Sequence, residues 1–166
     1  LKNLLLHWPN GTVATAIWLE NLGISKQLRY SYQKNKWLEP LSIGAFIRPG
    51  DRIEWPGALY AIQKQANLEI HPGGLIALSL KGQAHYFRLG GETLYLFAKP
   101  RTLLPRWFKN HDWSIPIKFC RSNFLPESIG LTDYEEKTFN IQISTSERAI
   151  LECLYLAPSK MNLVEC

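Results

Sequence analysis

A chain of 166 residues with 46% hydrophobic and 12% aromatic side chains can build one domain, or a small module plus a second domain, and is too apolar to be disordered. Its net charge is +5, no apolar run approaches the length of a membrane span, and Leu4 to Leu6 is too short for a signal-peptide core, so cytoplasm is the expected compartment. Cys120, Cys153 and Cys166 stand far apart in no CxxC pattern, and His7, His71, His85 and His111 are equally scattered, so neither a disulfide framework nor a zinc site is indicated, and no cofactor or metal is expected.

Lys2 to His7 reads as a short helix, with Leu4 to Leu6 available to pack inward, and Trp8-Pro9-Asn10-Gly11 reads as a turn. Thr15 is a candidate N-cap for a helix carrying Trp18, Leu19 and Leu22 at helical spacing. Gly23 can end that helix in a left-handed conformation, and Ser25 can cap the next at once. In the second helix Ile24, Leu28, Tyr32 and Asn35 fall on one side, while Lys26, Arg29, Tyr30 and Gln33 fall on the other. Two helices across a short turn, with donor-rich side chains on the outer face of the second, form a helix-turn-helix pattern.

Trp37-Leu38 and Ala45-Phe46-Ile47 follow as strand ends, with Ser42 to Gly44 as a bend and Pro49-Gly50 as a stop. A hairpin placed directly after a recognition helix is the wing of a winged helix. Residues 24 to 52 hold six basic side chains (Lys26, Arg29, Lys34, Lys36, Arg48, Arg52) against Glu39 and Asp51, so most of the net charge sits where a DNA-binding surface would be. The expected DNA-contacting set is therefore Ser25, Lys26, Gln27, Arg29, Tyr30, Gln33, Lys34, Lys36, Ser42, Arg48 and Arg52. Tyr32 and Trp37 are expected in the core instead. Arg29 and Gln33, one helical turn apart, carry donor geometries suited to guanine and adenine edges.

After the wing, Trp55-Pro56-Gly57 opens the helix ALYAIQKQA, with Pro56 tolerated in its first turn. Leu68 to Ile70 reads as a short extended piece. His71-Pro72-Gly73-Gly74 leads into LIALSLKG, a helix ended by Gly82. A hairpin is expected from His85 to Leu89, through Gly90-Gly91, to Thr93 to Ala98. Leu103 to Lys109 reads as one or two helical turns, and Ile115 to Cys120 as a strand. Across Lys99 to Arg121 the basic residues Arg101, Arg106, Lys109, Lys118 and Arg121 interleave with Trp107, Phe108, Trp113 and Phe119. They form a possible second basic surface of the kind that holds single-stranded nucleic acid, although a solvated basic face over an aromatic core is the simpler reading. Beyond Ser122 the charge reverses; Thr138 to Ile143 alternates as a strand, and Ser144 to Leu156 reads as a helix capped by Thr145 or Ser146 and stopped by Pro158. Met161 to Cys166 shows no clear role.

These residues resemble the AbiEi family, the antitoxin and transcriptional-regulator half of type IV (AbiE) toxin–antitoxin and abortive-infection systems. The matching pieces are GTVATAIWLENLGISKQLRYSYQKNKWLE, GAFIRPGD, WPGALYAIQKQ, IHPGGLIALSLKGQAHYFRLGG followed by LYLF, and SERAILECLY. The resemblance implies an N-terminal winged helix that binds inverted repeats in its own promoter and represses the operon. It also implies a C-terminal region that counters a nucleotidyltransferase-like toxin without a stable complex. Two features depart from the pattern. The wing LEPLSIGAF lacks a basic residue at its tip, and the chain begins without Met and stops soon after SERAILECLY, as a fragment would.

The expected fold class is α+β: a winged helix-turn-helix over 1–53, then a mixed α/β antitoxin or regulatory domain with a small antiparallel sheet over 54–166. Two rivals differ in kind. One is a protein-interaction module built on a degenerate winged helix. The other is a metal-dependent nuclease, since Glu135-Glu136-Lys137 offers an ExK tripeptide in which carboxylates hold a cation and a lysine aids the attacking water. Asp133 is too close in sequence to be a convincing partner acid, so an exposed charged turn is the preferred reading. His71-Pro72-Gly73-Gly74 lacks the following Lys and Ser/Thr of a P-loop and reads as a tight turn with close backbone packing. No enzyme is expected.

Overall fold

The computed structural model describes residues 2–82, 92–126 and 129–157. The first arm (His85 to Leu89) and turn (Gly90-Gly91) of the expected hairpin, the expected stop at Pro158, and Met161 to Cys166 lie outside the described residues. Helices and small sheets mix along the chain, as in an α+β fold. The chain divides into two compact units, one of Leu1–Leu68, Leu104–Trp113 and Glu135–Ile141, the other of Glu69–Leu103, Ser114–Tyr134 and Gln142–Cys166.

The first unit runs α1 (Lys2–His7), β1 (Ala14–Thr15), α2 (Ala16–Asn21), α3 (Lys26–Lys34), β2 (Glu39–Ser42), β3 (Ala45–Ile47) and α4 (Trp55–Tyr60). Thr15 caps α2 by accepting from the Trp18 amide at 3.2 Å, and Ser25 caps α3 by accepting from the Leu28 amide at 3.2 Å. Gly23 turns the chain between them at φ +81°. The three strands form an antiparallel sheet in the order β1-β3-β2, with Ala14 opposite Phe46 and Pro40 also opposite Phe46 on the far side. Pro40 lacks an amide hydrogen, which an edge strand tolerates. Strand β1 is too short to leave an alternating pattern in the sequence, and β2 begins two positions later than Trp37-Leu38 suggested.

The core beneath this sheet consists of Leu4, Trp8, Ala14, Leu19, Ile24 and Leu38, with Trp18, Tyr32 and Phe46 packed against it. Trp37 departs from expectation. It remains 48% exposed and lies against the Tyr32 ring at 5.7 Å, because Lys36 adopts a left-handed φ of +55° and turns the chain out of the helix.

Helix α4 continues into a π-helical turn, Ala61–Gln65. Its start presses against the Pro9–Thr12 turn so closely that a Cβ at Gly57 would meet the Gly11 carbonyl oxygen at 1.8 Å. The Gln65 amide at its end accepts from the Thr15 amide (2.9 Å) and donates to the Val13 carbonyl (2.8 Å). These contacts bind residues 54–68 to the sheet, so the expected boundary at 53/54 falls inside the first unit.

Later elements are β4 (His71–Pro72), α5 (Leu75–Leu80), β5 (Leu94–Ala98), α6 (Arg106–Lys109), β6 (Ile117–Arg121), β7 (Leu131–Glu135), β8 (Asn140–Ser144) and α7 (Ser146–Leu156). The sheet β4-β5-β6 is mixed, not antiparallel as expected: β5 pairs antiparallel with β4 and parallel with β6. Residues 99–116 between β5 and β6 exceed the roughly dozen residues that a parallel crossover needs. Strands β7 and β8 form a separate hairpin sheet, and Thr145 caps α7. Among the described residues no helix is long and apolar enough to cross a membrane.

The second unit is built around a buried carboxylate. Glu152 of α7 is 1% exposed and accepts from His71 Nε2 (3.1 Å), the Gly74 amide (3.0 Å), Ser144 Oγ (2.8 Å) and Arg148 Nε (2.9 Å). Arg148 also donates to the Pro126 and Ile129 carbonyls through Nη1, so both members of the buried ion pair carry further hydrogen bonds, as such a pair needs. Burial pushes the Glu152 carboxyl pKa up, but the bonds and charge of His71, with Ser144 and Arg148, outweigh this and hold it below its ordinary value. Gly73 explains the HPGG turn, since a Cβ there would meet Glu152 Oε2 at 2.0 Å.

Candidate nucleic-acid interface

Helix α3 presents a different face from the one its sequence suggests. Arg29 points inward and is 7% exposed: Nη2 pairs with Glu20 Oε1 at 2.7 Å, while Nη1 donates to the Ile24 carbonyl at 3.0 Å and the Ala16 carbonyl at 3.4 Å. The expectation that Arg29 faces outward is therefore corrected. The guanidinium has five donors and a long apolar stem, so it can fill an interior position where a carboxylate and loose carbonyls supply acceptors. Leu28, expected inside, is exposed, and Asn35 bonds back to the Ser31 carbonyl at 2.9 Å from the surface.

Tyr32 and Gln33 are half-buried on the same side as Arg29, so the helix is rotated by about one position relative to the expected stripe. The solvent face is instead Gln27, Tyr30, Ser31 and Lys34, at steps of three, one and three residues, with Tyr30 71% exposed. Ser25 is exposed but its hydroxyl is engaged in capping, and Lys26 is exposed at the first turn.

The wing region contributes less charge than its composition promised. Arg48 donates to the Asn10 side chain and to the Leu5 carbonyl at 2.9 Å, and its guanidinium lies over the Trp8 ring at 5.4 Å. Burial lowers its pKa, and nearby Asp51 opposes that. Arg48, expected among the DNA-facing residues, is half-buried here and fastens the end of β3 to α1 and the following turn. Ser42 is half-buried at the end of β2, and Arg52 is exposed, 3.9 Å from Glu54. Lys26, Lys34, Lys36 and Arg52 thus remain as exposed cations of this segment.

Family models match the chain along its length. Residues 1–89 match the AbiEi antitoxin N-terminal domain of transcriptional regulators, and residues 91–166 match the AbiEi antitoxin transcriptional regulator of type IV toxin–antitoxin systems. The chain belongs to the AbiEi family. A search of curated proteins found no match.

Within this AbiEi chain the second basic run divides between the two units. Arg106 and Lys109 stand exposed on α6 in the first unit, while Trp107, Phe108 and Trp113 are buried, with Phe108 meeting Trp107 edge to face and stacking on Trp113. Arg101, Lys118 and Arg121 stand exposed in the second, with Lys118 Nζ 5.5 Å from the Tyr95 ring centre.

The ExK residues sit at the β7–β8 turn. Glu135 and Lys137 are exposed, and the Glu136 amide donates to the Phe139 carbonyl at 2.8 Å to close the turn. Among the described residues no group of three or more His, Cys, Asp or Glu could hold a metal ion. The Glu152 network was missed from sequence because its members other than Arg148 lie eight to 81 positions from Glu152. The single usable signal was the i, i+4 spacing of Arg148 and Glu152 in SERAILECLY.

Proposed function

We propose that the first unit is a winged helix that binds double-stranded DNA at inverted repeats in its own promoter and represses the operon. The observation that carries the reading is the exposed face of α3, Gln27, Tyr30, Ser31 and Lys34, on the third helix of a helix–strand–helix–helix–strand–strand unit. That element order and the β1-β3-β2 sheet suit a winged helix, with the β2–β3 hairpin as the wing. Amide, phenol, hydroxyl and ammonium groups are all able to reach base edges or phosphate, and membership of a transcriptional-regulator family supports the same conclusion. The second unit is assigned to countering a nucleotidyltransferase-like toxin, without a stable complex, and Arg101, Lys118 and Arg121 are the first residues to test there.

A gel-shift titration with the region upstream of its own gene tests the first half. Wild-type protein shifts that duplex in preference to a scrambled one, and a Gln27→Ala/Lys34→Ala double variant does not. Equal affinity for both duplexes by the wild type would refute the reading. In a cell carrying the cognate toxin and a promoter reporter, the same double variant loses repression and keeps neutralisation. Loss of both activities by a folded variant would show that neutralisation depends on DNA binding.

A further inference from the structure

The wing carries no cation with which to grip a phosphate. Residues 37–47 contain no Lys or Arg and one acid, Glu39. At its tip stands Ile43, 99% exposed. The tip is pinned: Gly44 turns at φ +82°, and its carbonyl accepts from the Ala16 amide at 2.9 Å, at the start of α2. The residue after Ala16 is Ile17, itself 71% exposed, so two β-branched apolar side chains adjoin the bonded pair. A lone exposed apolar residue on a surface is ordinary. A fully exposed one on a fixed hairpin tip, beside a second, is not. Because β-branched side chains are stiff at χ1, ordering Ile43 on binding costs little entropy.

We propose that Ile43 acts as an apolar wedge, entering the minor groove beside the site occupied by α3 and partly unstacking one base step there. The proposal rests on the DNA-binding reading above and gives the wing a role that charge does not. Apolar side chains inserted between base steps kink a duplex toward the major groove, and their insertion releases no counterions. Specificity from this wedge arises through deformability: pyrimidine–purine steps unstack most easily, so the wing selects sequence without a hydrogen bond to any base.

The test uses the full chain and a labelled duplex carrying the region upstream of its own gene, with affinity from fluorescence anisotropy and bend angle from circularly permuted fragments in a gel. Wild-type protein bends the duplex by at least about 20°. Ile43→Ala weakens binding roughly tenfold, because less apolar surface leaves water in the complex. The same variant leaves the salt slope unchanged and removes most of the bend. Ile43→Leu keeps both affinity and bend. If Ile43→Ala retains wild-type affinity and bend while Lys34→Ala weakens binding, the wedge is refuted and the DNA reading survives. Loss of affinity with the bend intact also overturns the wedge. Absence of preferential binding by the wild type overturns both readings. Conversion of a wild-type dimer to a monomer by Ile43→Ala, measured by sedimentation without DNA, would assign the tip to an interface between copies and refute the wedge.

Discussion

Arg29→Ala separates folding from recognition on α3. In the structure the guanidinium donates to the Ile24 and Ala16 carbonyls and pairs with Glu20, with Arg29 7% exposed. A carbonyl bond of ordinary geometry contributes about 1 kcal/mol net, and the 3.4 Å bond to Ala16 less. The ion pair joins a buried guanidinium to a carboxylate that is 53% exposed, so solvent screening holds it to about 1 kcal/mol. Truncation also leaves the space once filled by the Arg29 stem. The total comes to about 2–4 kcal/mol, a large part of the stability of a small unit. Urea unfolding followed by far-UV circular dichroism measures it, since removing a helix–helix tie lowers the midpoint with little change in slope. Glu20→Gln, which keeps the shape and a weaker bond, costs about 1 kcal/mol or less. Arg29→Ala is expected to lose operator binding only as it loses fold. A variant as stable as the wild type that no longer binds the upstream duplex would refute the inward role and make Arg29 a DNA contact.

The remaining expectations follow from other parts of the structure. Because four exposed cations remain near α3 and the wing, log affinity falls against log salt with a slope near −3.6 per unit, from about 0.9 per phosphate neutralised, and a slope near zero would exclude phosphate contact. Glu152→Ala leaves Arg148 buried without its carboxylate and costs about 3–5 kcal/mol, measured by chemical denaturation; a change under about 1 kcal/mol would mean that the network is not a fold determinant. The Glu152 carboxyl is held below its ordinary value of 4.5, so its contribution is fully present above that pH and disappears as pH falls through the lower folded-state value. Thermal melts at descending pH check this, and Glu152→Gln flattens the acid limb. Gly73→Ala drives a methyl group against Glu152 Oε2 and Phe97 and lowers the melting temperature, whereas Gly82→Ala meets nothing within 4 Å among the described residues and adds the strain of its positive φ.

The local chemistry of this chain was legible. Thr15, Gly23, Ser25, Gly82 and Thr145 act where caps and left-handed glycines were expected, because each depends only on its immediate neighbours. The facing of α3 was not legible. Of its expected stripe, Ile24 lies in the core and Tyr32 packs against it, but Leu28 is exposed and the interior position went to Arg29, with only Glu20 at the end of α2 hinting at an acceptor. The tie made by Arg48 was hidden for a related reason: its acceptors, Asn10 and the Leu5 carbonyl, lie some forty positions earlier, beyond the reach of any spacing rule. The mixed sheet was missed because nothing in β5 or β6 alone records whether the connection between them runs back or crosses over.

Strand β1 ends the sheet, and an uncovered strand end invites pairing with another chain. The Gln65 side-chain amide occupies that position by offering one acceptor and one donor to Thr15 and Val13, as a neighbouring strand's peptide would. The wider π-helical turn sets where that amide points. Removing one residue from 61–65 would swing Gln65 by roughly 100° around the helix and leave the backbone of β1 open. The bulge therefore protects solubility: a chain trimmed there would be expected to stick to its copies through that strand while its hydrophobic core stayed intact.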